Sequence, residues 1–269
     1  METTLQEYKN YLEHEELAAA SIRKYMLDAR QFDTWRDRRD ISKGLTMEYK
    51  AHIQGQAFKP ATLHSKIISL NKYLAFMGED SAAVKNIRVQ QQGLSENVLS
   101  QNDYDRMLRQ ANSKGTPRDV LMLEALLRTG VRVSELQCFT VEALQAGYMT
   151  IDSKGKIRKV AISKNLEKQA KAYIKDEGIT SGAIILNAQG QPLSRNYIYK
   201  RIKYLAGQAR IKLAKAYPHS IRHLFARNYL ARNGNNAAIQ LANILGHESL
   251  ETTRIYVALS IDEARATMD

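Results

Sequence analysis

The sequence has a single cysteine, Cys138, among its 269 residues, so no internal disulfide can form. It has no Cys/His pattern with metal-ligand spacing and no Gly-x-x-x-x-Gly-Lys phosphate loop. Long apolar runs are also missing. No segment approaches the roughly 18 consecutive apolar residues of a membrane span, and the first thirty residues alternate charged and apolar positions instead of forming a signal-peptide core. These absences predict a soluble cytoplasmic protein with no membrane partner. Acidic residues are scarce as well: 28 Asp and Glu face 40 Lys and Arg, a net charge of +12. Residues 1–96 are nearly balanced, at 14 basic against 13 acidic, whereas residues 97–269 carry 26 against 15. The later segment is therefore the candidate for binding a polyanion, where released counterions supply affinity.

Helical spacing dominates what is present. Leu5, Tyr8 and Leu12 form one apolar stripe, and Ile22, Tyr25, Ala29 and Phe32 a second. A weaker third helix follows Thr46, and a fourth has Pro60 in its first turn, Leu63, Ile67, Leu70 and Leu74 on one face, and Gly78 as its stop. From about Glu79 to Gln101 the periodicity is lost, and the stretch includes Gln90-Gln91-Gln92-Gly93. The pattern predicts a helical domain over 1–80, a linker over 81–100 and a second domain over 101–269. In the second domain, Asp103 to Gln110 and Arg118 to Arg128 read as helices, and Gly130 ends the latter. Residues 147–163 read as a β-hairpin around Ser153-Lys154-Gly155-Lys156. Helical patterns resume at 164–176, 194–209 and most of 219–259. The expected class is mainly α, the second domain being α+β with a small antiparallel sheet.

Four segments of the second domain carry chemistry. Arg132 follows the Gly130 turn, with Glu135 three residues on; alone, the pair also fits an ordinary surface ion pair. His219 and Arg222 would project from one helix toward one spot. His247 precedes Tyr256 in Leu245-Gly246-His247-Glu248-Ser249-Leu250-Glu251-Thr252-Thr253-Arg254-Ile255-Tyr256, with a short helix expected from Ser249. Lys154 sits at the hairpin tip. Together these residues suit transfer of a DNA phosphodiester to a protein hydroxyl. Two arginines, Arg132 and Arg222, can grip the non-bridging oxygens as charge builds on them. Lys154 can protonate the leaving 5′ oxygen. His219 and His247 can accept the phenol proton or hold the phosphate, and Tyr256 is the nucleophile of a reversible covalent intermediate.

These motifs resemble the tyrosine recombinase or phage integrase family, which includes Xer-type resolvases and the integrases of phages and conjugative transposons. The family's first arginine box, Thr-Gly-apolar-Arg-apolar-Ser-Glu-Leu, stands here as Thr129 to Leu136, which carries over Arg132 and Glu135. The hairpin lysine, normally in Gly-Lys-Gly, stands in Ser153-Lys154-Gly155. The family's His-x-x-Arg is His219 to Arg222, and its Leu-Gly-His-x-x-x-x-x-Thr-x-x-Tyr is Leu245 to Tyr256 with Thr253 in place. Two departures stand out. Serine replaces glycine at 153, and the turn after Gly155 is about one residue shorter than in many relatives, which makes Lys156 a rival to Lys154.

The resemblance implies a SAM-like helical core-binding domain joined to a tyrosine recombinase catalytic domain. It further implies double-stranded DNA recombination sites as partner, a 3′-phosphotyrosine intermediate, Holliday-junction exchange in a homotetramer formed on DNA by a free monomer, no cofactor or metal, and no small-molecule substrate. A type IB topoisomerase-like nicking-closing enzyme shares this chemistry, and a non-catalytic DNA-binding protein shares the charge. The small first domain favours the recombinase over the former, and intact Arg132, Arg222 and Tyr256 argue against the latter. After Tyr256, Ser260 with Asp262 and Glu263 reads as a helix start. Its apolar residues Ile261, Ala264 and Met268 need a surface to cover, and from the residues alone the tail folds back on its own domain or frays, whereas the resemblance implies docking on a neighbouring protomer.

Overall fold

The computed structural model describes residues 2–87, 98–153, 155–247 and Thr253. Lys154, Tyr256, the helix expected from Ser249, the expected tail helix and positions 88–97 of the expected linker lie outside the described residues. The chain divides into two compact units, Met1–Gln91 and Gln92–Asp269.

In the first unit the apolar stripes become helices α1 (Glu2–His14), α2 (Ala19–Arg36), α3 (Lys43–Gln54) and α4 (Pro60–Phe76). Helix α3 begins earlier than its weak periodicity indicates because Ser42 caps it, accepting the Leu45 N–H at 3.2 Å. Tyr8, Leu12, Phe32, Ile67, Tyr73 and Leu74 fill the core. The carboxylate of Asp33 is buried in that core and paired: Tyr73 Oη and Arg36 Nε each donate to it at 2.7 Å. The aperiodic stretch after Gly78 is not a bare tether. Ala82 and Val84 enter this core. Asn71 brackets Val84, accepting its N–H at 3.0 Å and donating to its carbonyl at 2.9 Å. Side chains here satisfy irregular backbone that no helix serves.

The second unit is built round helix α6 (Pro117–Thr129), which packs against α5 (Gln101–Lys114), α8 (Lys164–Asp176) and α10 (Pro218–Asn233). Its Leu121, Met122, Leu123, Ala125 and Leu126 are buried. Ser100 with Asp103, and Thr116 with Asp119, form reciprocal caps at the starts of α5 and α6. Asp119 also receives two hydrogen bonds from Arg201, at 2.8 and 2.6 Å, which tie α9 (Arg195–Gln208) to the start of α6. Helices α7 (Val141–Ala146) and α11 (Ala238–Leu245) belong to the same unit. The fold is mainly α with one antiparallel hairpin, β1 (Tyr148–Ser153) and β2 (Lys156–Ala161). The last strand pair is Ser153 with Lys156, so the turn is short. Gly155 adopts φ +75° there, and its N–H is accepted by Asp152 at 3.1 Å. Among the described residues no helix is long and apolar enough to cross a membrane.

Candidate active site

Gly130 ends α6 with φ +63°, and a Cβ there would stand 2.3 Å from Phe225 Cδ1, so glycine alone fits. The turn leads to Arg132, which opens a 3₁₀ segment over Val133–Cys138. Glu135 accepts twice from Arg132, from its backbone N–H at 2.7 Å and from Nη1 at 2.8 Å. The expected ion pair is therefore local, but only the guanidinium is half-exposed, and Glu135 is buried. Arg132 Nη2 donates to the Gly246 carbonyl at 3.2 Å.

Arg222 reaches the same place from α10. Its side chain is 2% exposed, and it donates to the carbonyls of Gly130, at 2.7 Å, and of Leu245. His219, one turn earlier on α10, is exposed at the surface of a recess. His219 and His223 meet edge to face with ring centroids 4.7 Å apart. A cleft of about 730 Å³ runs past Arg132, His219 and Arg222 and is further lined by Arg195, Tyr199 and Lys203. No carboxylate stands among its described lining residues. Such a cleft suits an anion.

His247 follows the αL turn at Gly246, and its Nδ1 lies 2.8 Å from Thr253 Oγ1. That contact gives the threonine of the motif a task, fixing the ring. Burial, then the charges of Arg222 and Arg132, push the His247 pKa down to about 4, and burial with His219 and Arg222 brings His223 to a similar value. His219 is lowered too, by desolvation in the recess and by the same two arginines, although its ring meets solvent. Near neutral pH all three imidazoles are uncharged, so they can accept a proton as well as donate a hydrogen bond.

Burial raises the Glu135 pKa, yet hydrogen bonds from Arg158 and Arg132 outweigh it and hold the carboxyl below its usual range. Arg158 is the residue that sequence reasoning missed. From β2 its Nη2 donates to Glu135 Oε2 at 2.7 Å and its Nε to the Ile244 carbonyl at 3.0 Å. A signal existed: Arg158 alternates with buried Val160 and pairs with buried Ile151, and a cation on the inward face of a strand requires a partner. The structure thus brings together Arg132, Glu135, His219, Arg222 and His247. Among the described residues no group of His, Cys, Asp and Glu is arranged to hold a metal ion.

The chain is similar to known proteins in both sequence and fold. The profile described as "Phage integrase family" matches residues 97–263. The chain is 27% identical to the tyrosine recombinase XerD of Staphylococcus aureus strain N315, over 98% of this chain and 97% of that protein. Among solved structures it resembles a lambda integrase dimer bound to a COC′ core site, with a TM-score of 0.76, 17% identity, and coverage of 96% of this chain and 95% of that one. It also resembles XerH recombinase bound to palindromic difH substrate in a post-cleavage complex, with a TM-score of 0.74, 20% identity, and coverage of 97% and 83%.

Proposed function

The chain belongs to the phage integrase family, and on that premise we propose a tyrosine site-specific recombinase in which Tyr256 makes and breaks a covalent bond to DNA. It is a DNA-breaking and rejoining enzyme. The observation that carries the reading is the meeting of Arg132 and Arg222, far apart in sequence, at one cleft whose described lining residues include no carboxylate, with a neutral histidine beside them.

The phenol oxygen of Tyr256 attacks the scissile phosphorus, and its proton passes to a neutral imidazole, His219 or His247. Arg132 and Arg222 bind the non-bridging oxygens as charge grows on them. The bond from phosphorus to the 5′ oxygen breaks, and Lys154, with Lys156 as rival, supplies the proton that makes the leaving group a hydroxyl. Attack by a 5′ hydroxyl on the 3′-phosphotyrosine reverses the step without external energy. The 1–80 helical domain and the 101–269 domain both contact DNA in this reading, and specificity comes from groove contacts and DNA deformation. The solved relatives include a lambda integrase tetramer on a Holliday junction. For this chain we assign a free monomer that assembles into a tetramer on paired sites, the tail after Tyr256 docking on a neighbour.

The test begins by selecting duplexes from a randomised pool with the full chain and nicking the best of them beside the cleavage point. The wild type should leave a denaturant-resistant protein–DNA adduct, and Tyr256→Phe should bind the duplex equally and leave none. Adduct formation by the phenylalanine variant would remove Tyr256 from its role. Relaxation of supercoils without any recombined product would favour the topoisomerase-like reading.

A further inference from the structure

A two-stranded hairpin offers its inner face to the core, where an apolar side chain would be desolvated at least cost. Met149, Ile151 and Val160 take such positions. Arg158, paired with Ile151, breaks the pattern with a guanidinium whose side chain is only 12% exposed. Its planar fork serves two acceptors from different segments, Glu135 Oε2 at 2.7 Å and the Ile244 carbonyl at 3.0 Å. The guanidinium also packs over Gly246: a Cβ added there would stand 2.8 Å from Arg158 Nη1. Gly246 in turn accepts from Arg132, and Arg132 donates to Glu135. The contacts close a ring from Arg158 through Glu135, Arg132 and Gly246 back to Arg158.

We propose that Arg158 is a positioning residue for DNA cleavage: it holds the Glu135 carboxylate and the Ile244–Gly246 turn so that Arg132 and His247 face the scissile phosphate. This rests on the recombinase reading. Glu135 Oε2 stands 4.0 Å from Arg222 Nη1 as well. When Arg158 is removed, the carboxylate keeps its charge and turns on the two remaining arginines, drawing them from the phosphate they should grip. Because Arg158 lies on β2, the same contacts fix the root of the hairpin whose turn contains Lys154. Lysine cannot replace it, since a single ammonium does not reproduce two fixed N–H directions in one plane.

The probe is single-turnover cleavage of the selected nicked duplex, made with either a phosphate or a methylphosphonate at the scissile position. The methylphosphonate lacks one charged oxygen and leans less on an arginine clamp. Arg158→Met keeps most of the stem and loses both donors; Arg158→Lys keeps the charge. On phosphate DNA both variants should lose on the order of 10²-fold in rate, as expected when reacting groups are misplaced by about 1 Å, with DNA binding near wild type. On methylphosphonate DNA the loss relative to wild type should shrink to a few-fold. Glu135→Gln combined with Arg158→Met should lose less than the product of the single losses. An equal loss on both substrates means a merely structural role and overturns the inference, as does a wild-type rate on phosphate DNA. If Arg158→Met fails to fold, the Lys variant on the two substrates decides in the same way. Absence of any adduct with the unsubstituted protein would sink the recombinase reading itself, an outcome recognisable without a variant.

Discussion

Arg222 Nη1 stands 4.0 Å from Glu135 Oε2, with the arginine side chain 2% and the glutamate 8% exposed, while the same guanidinium is held by the carbonyls of Gly130 and Leu245. Arg222 is thus part of the packing as well as of the proposed clamp. Arg132 is 37% exposed. Their alanine variants should therefore differ in stability but not in chemistry. Both should lose about 10²-fold or more in single-turnover cleavage. Arg222→Ala should also lose about 3 kcal/mol or more in denaturant unfolding, since it strips partners from buried acceptors and leaves Glu135 less compensated. Arg132→Ala should lose much less. Unchanged cleavage rates with weakened DNA binding would reassign both residues to affinity alone.

Lys154 and Lys156 flank Gly155, and the short turn makes both rivals for protonating the 5′ oxygen. Lys154 is the expected acid, its register matching the family lysine. Replacing the bridging 5′ oxygen by sulfur gives a leaving group that needs no proton. The Lys154→Ala variant should then recover cleavage, and Lys156→Ala should change little on either substrate. Rescue confined to Lys156→Ala would shift the assignment by two residues.

The histidines give the site a pH signature. His223 and His247 lie near pKa 4 when folded, below the ordinary value of 6.5. The unfolded chain therefore binds protons first as pH falls. Stability present above about pH 6.5 should drain away between 6.5 and 4 and then level off for these groups. Glu135, depressed as well, adds a loss of the same direction below its ordinary 4.5. Tm should fall steadily from pH 7 to pH 5, and His247→Gln should flatten the dependence. A Tm independent of pH over that range would show that these rings are not held neutral.

Removal of residues 261–269 should spare duplex binding by a single protomer and impair assembly of paired sites, read by native gel mobility and by the rate of recombined product. A truncated chain that still forms tetrameric complexes and recombines at the full rate would place the tail's contacts within its own protomer.

Much of this architecture was legible because its signals are local. Pro60 and Gly130 mark helix ends through backbone geometry alone, and the Ser153–Lys156 turn follows from strand alternation on either side of one glycine. Arg132 and Glu135 touch because three residues span one turn. Arg158 escaped notice because its partners lie 23 and 86 positions away, and only strand register reveals that its side chain faces inward. The packing of Ala82 and Val84 was hidden for a related reason: it depends on Asn71 and Thr46 from other segments, and no periodic pattern records such bonds. The burial of Arg222 was equally invisible, since one residue spacing fits a surface cation and a buried one alike.

Helices α6 and α11 both stop at a left-handed glycine, and the carbonyls at those stops, of Gly130, Ile244, Leu245 and Gly246, are taken by Arg222, Arg158 and Arg132. Helix length is therefore a ruler for the site. One extra residue ahead of either glycine would swing the terminal carbonyls by about 100° and advance them by about 1.5 Å, taking that of Gly130 away from Arg222, or those of Ile244, Leu245 and Gly246 away from Arg158, Arg222 and Arg132. The exposed turn at Ala188–Gly190 is under no such constraint. Diversification of this enzyme by insertion and deletion thus has open ground at that turn and almost none at the ends of the two helices, where one added residue would unseat the clamp without altering a single catalytic side chain.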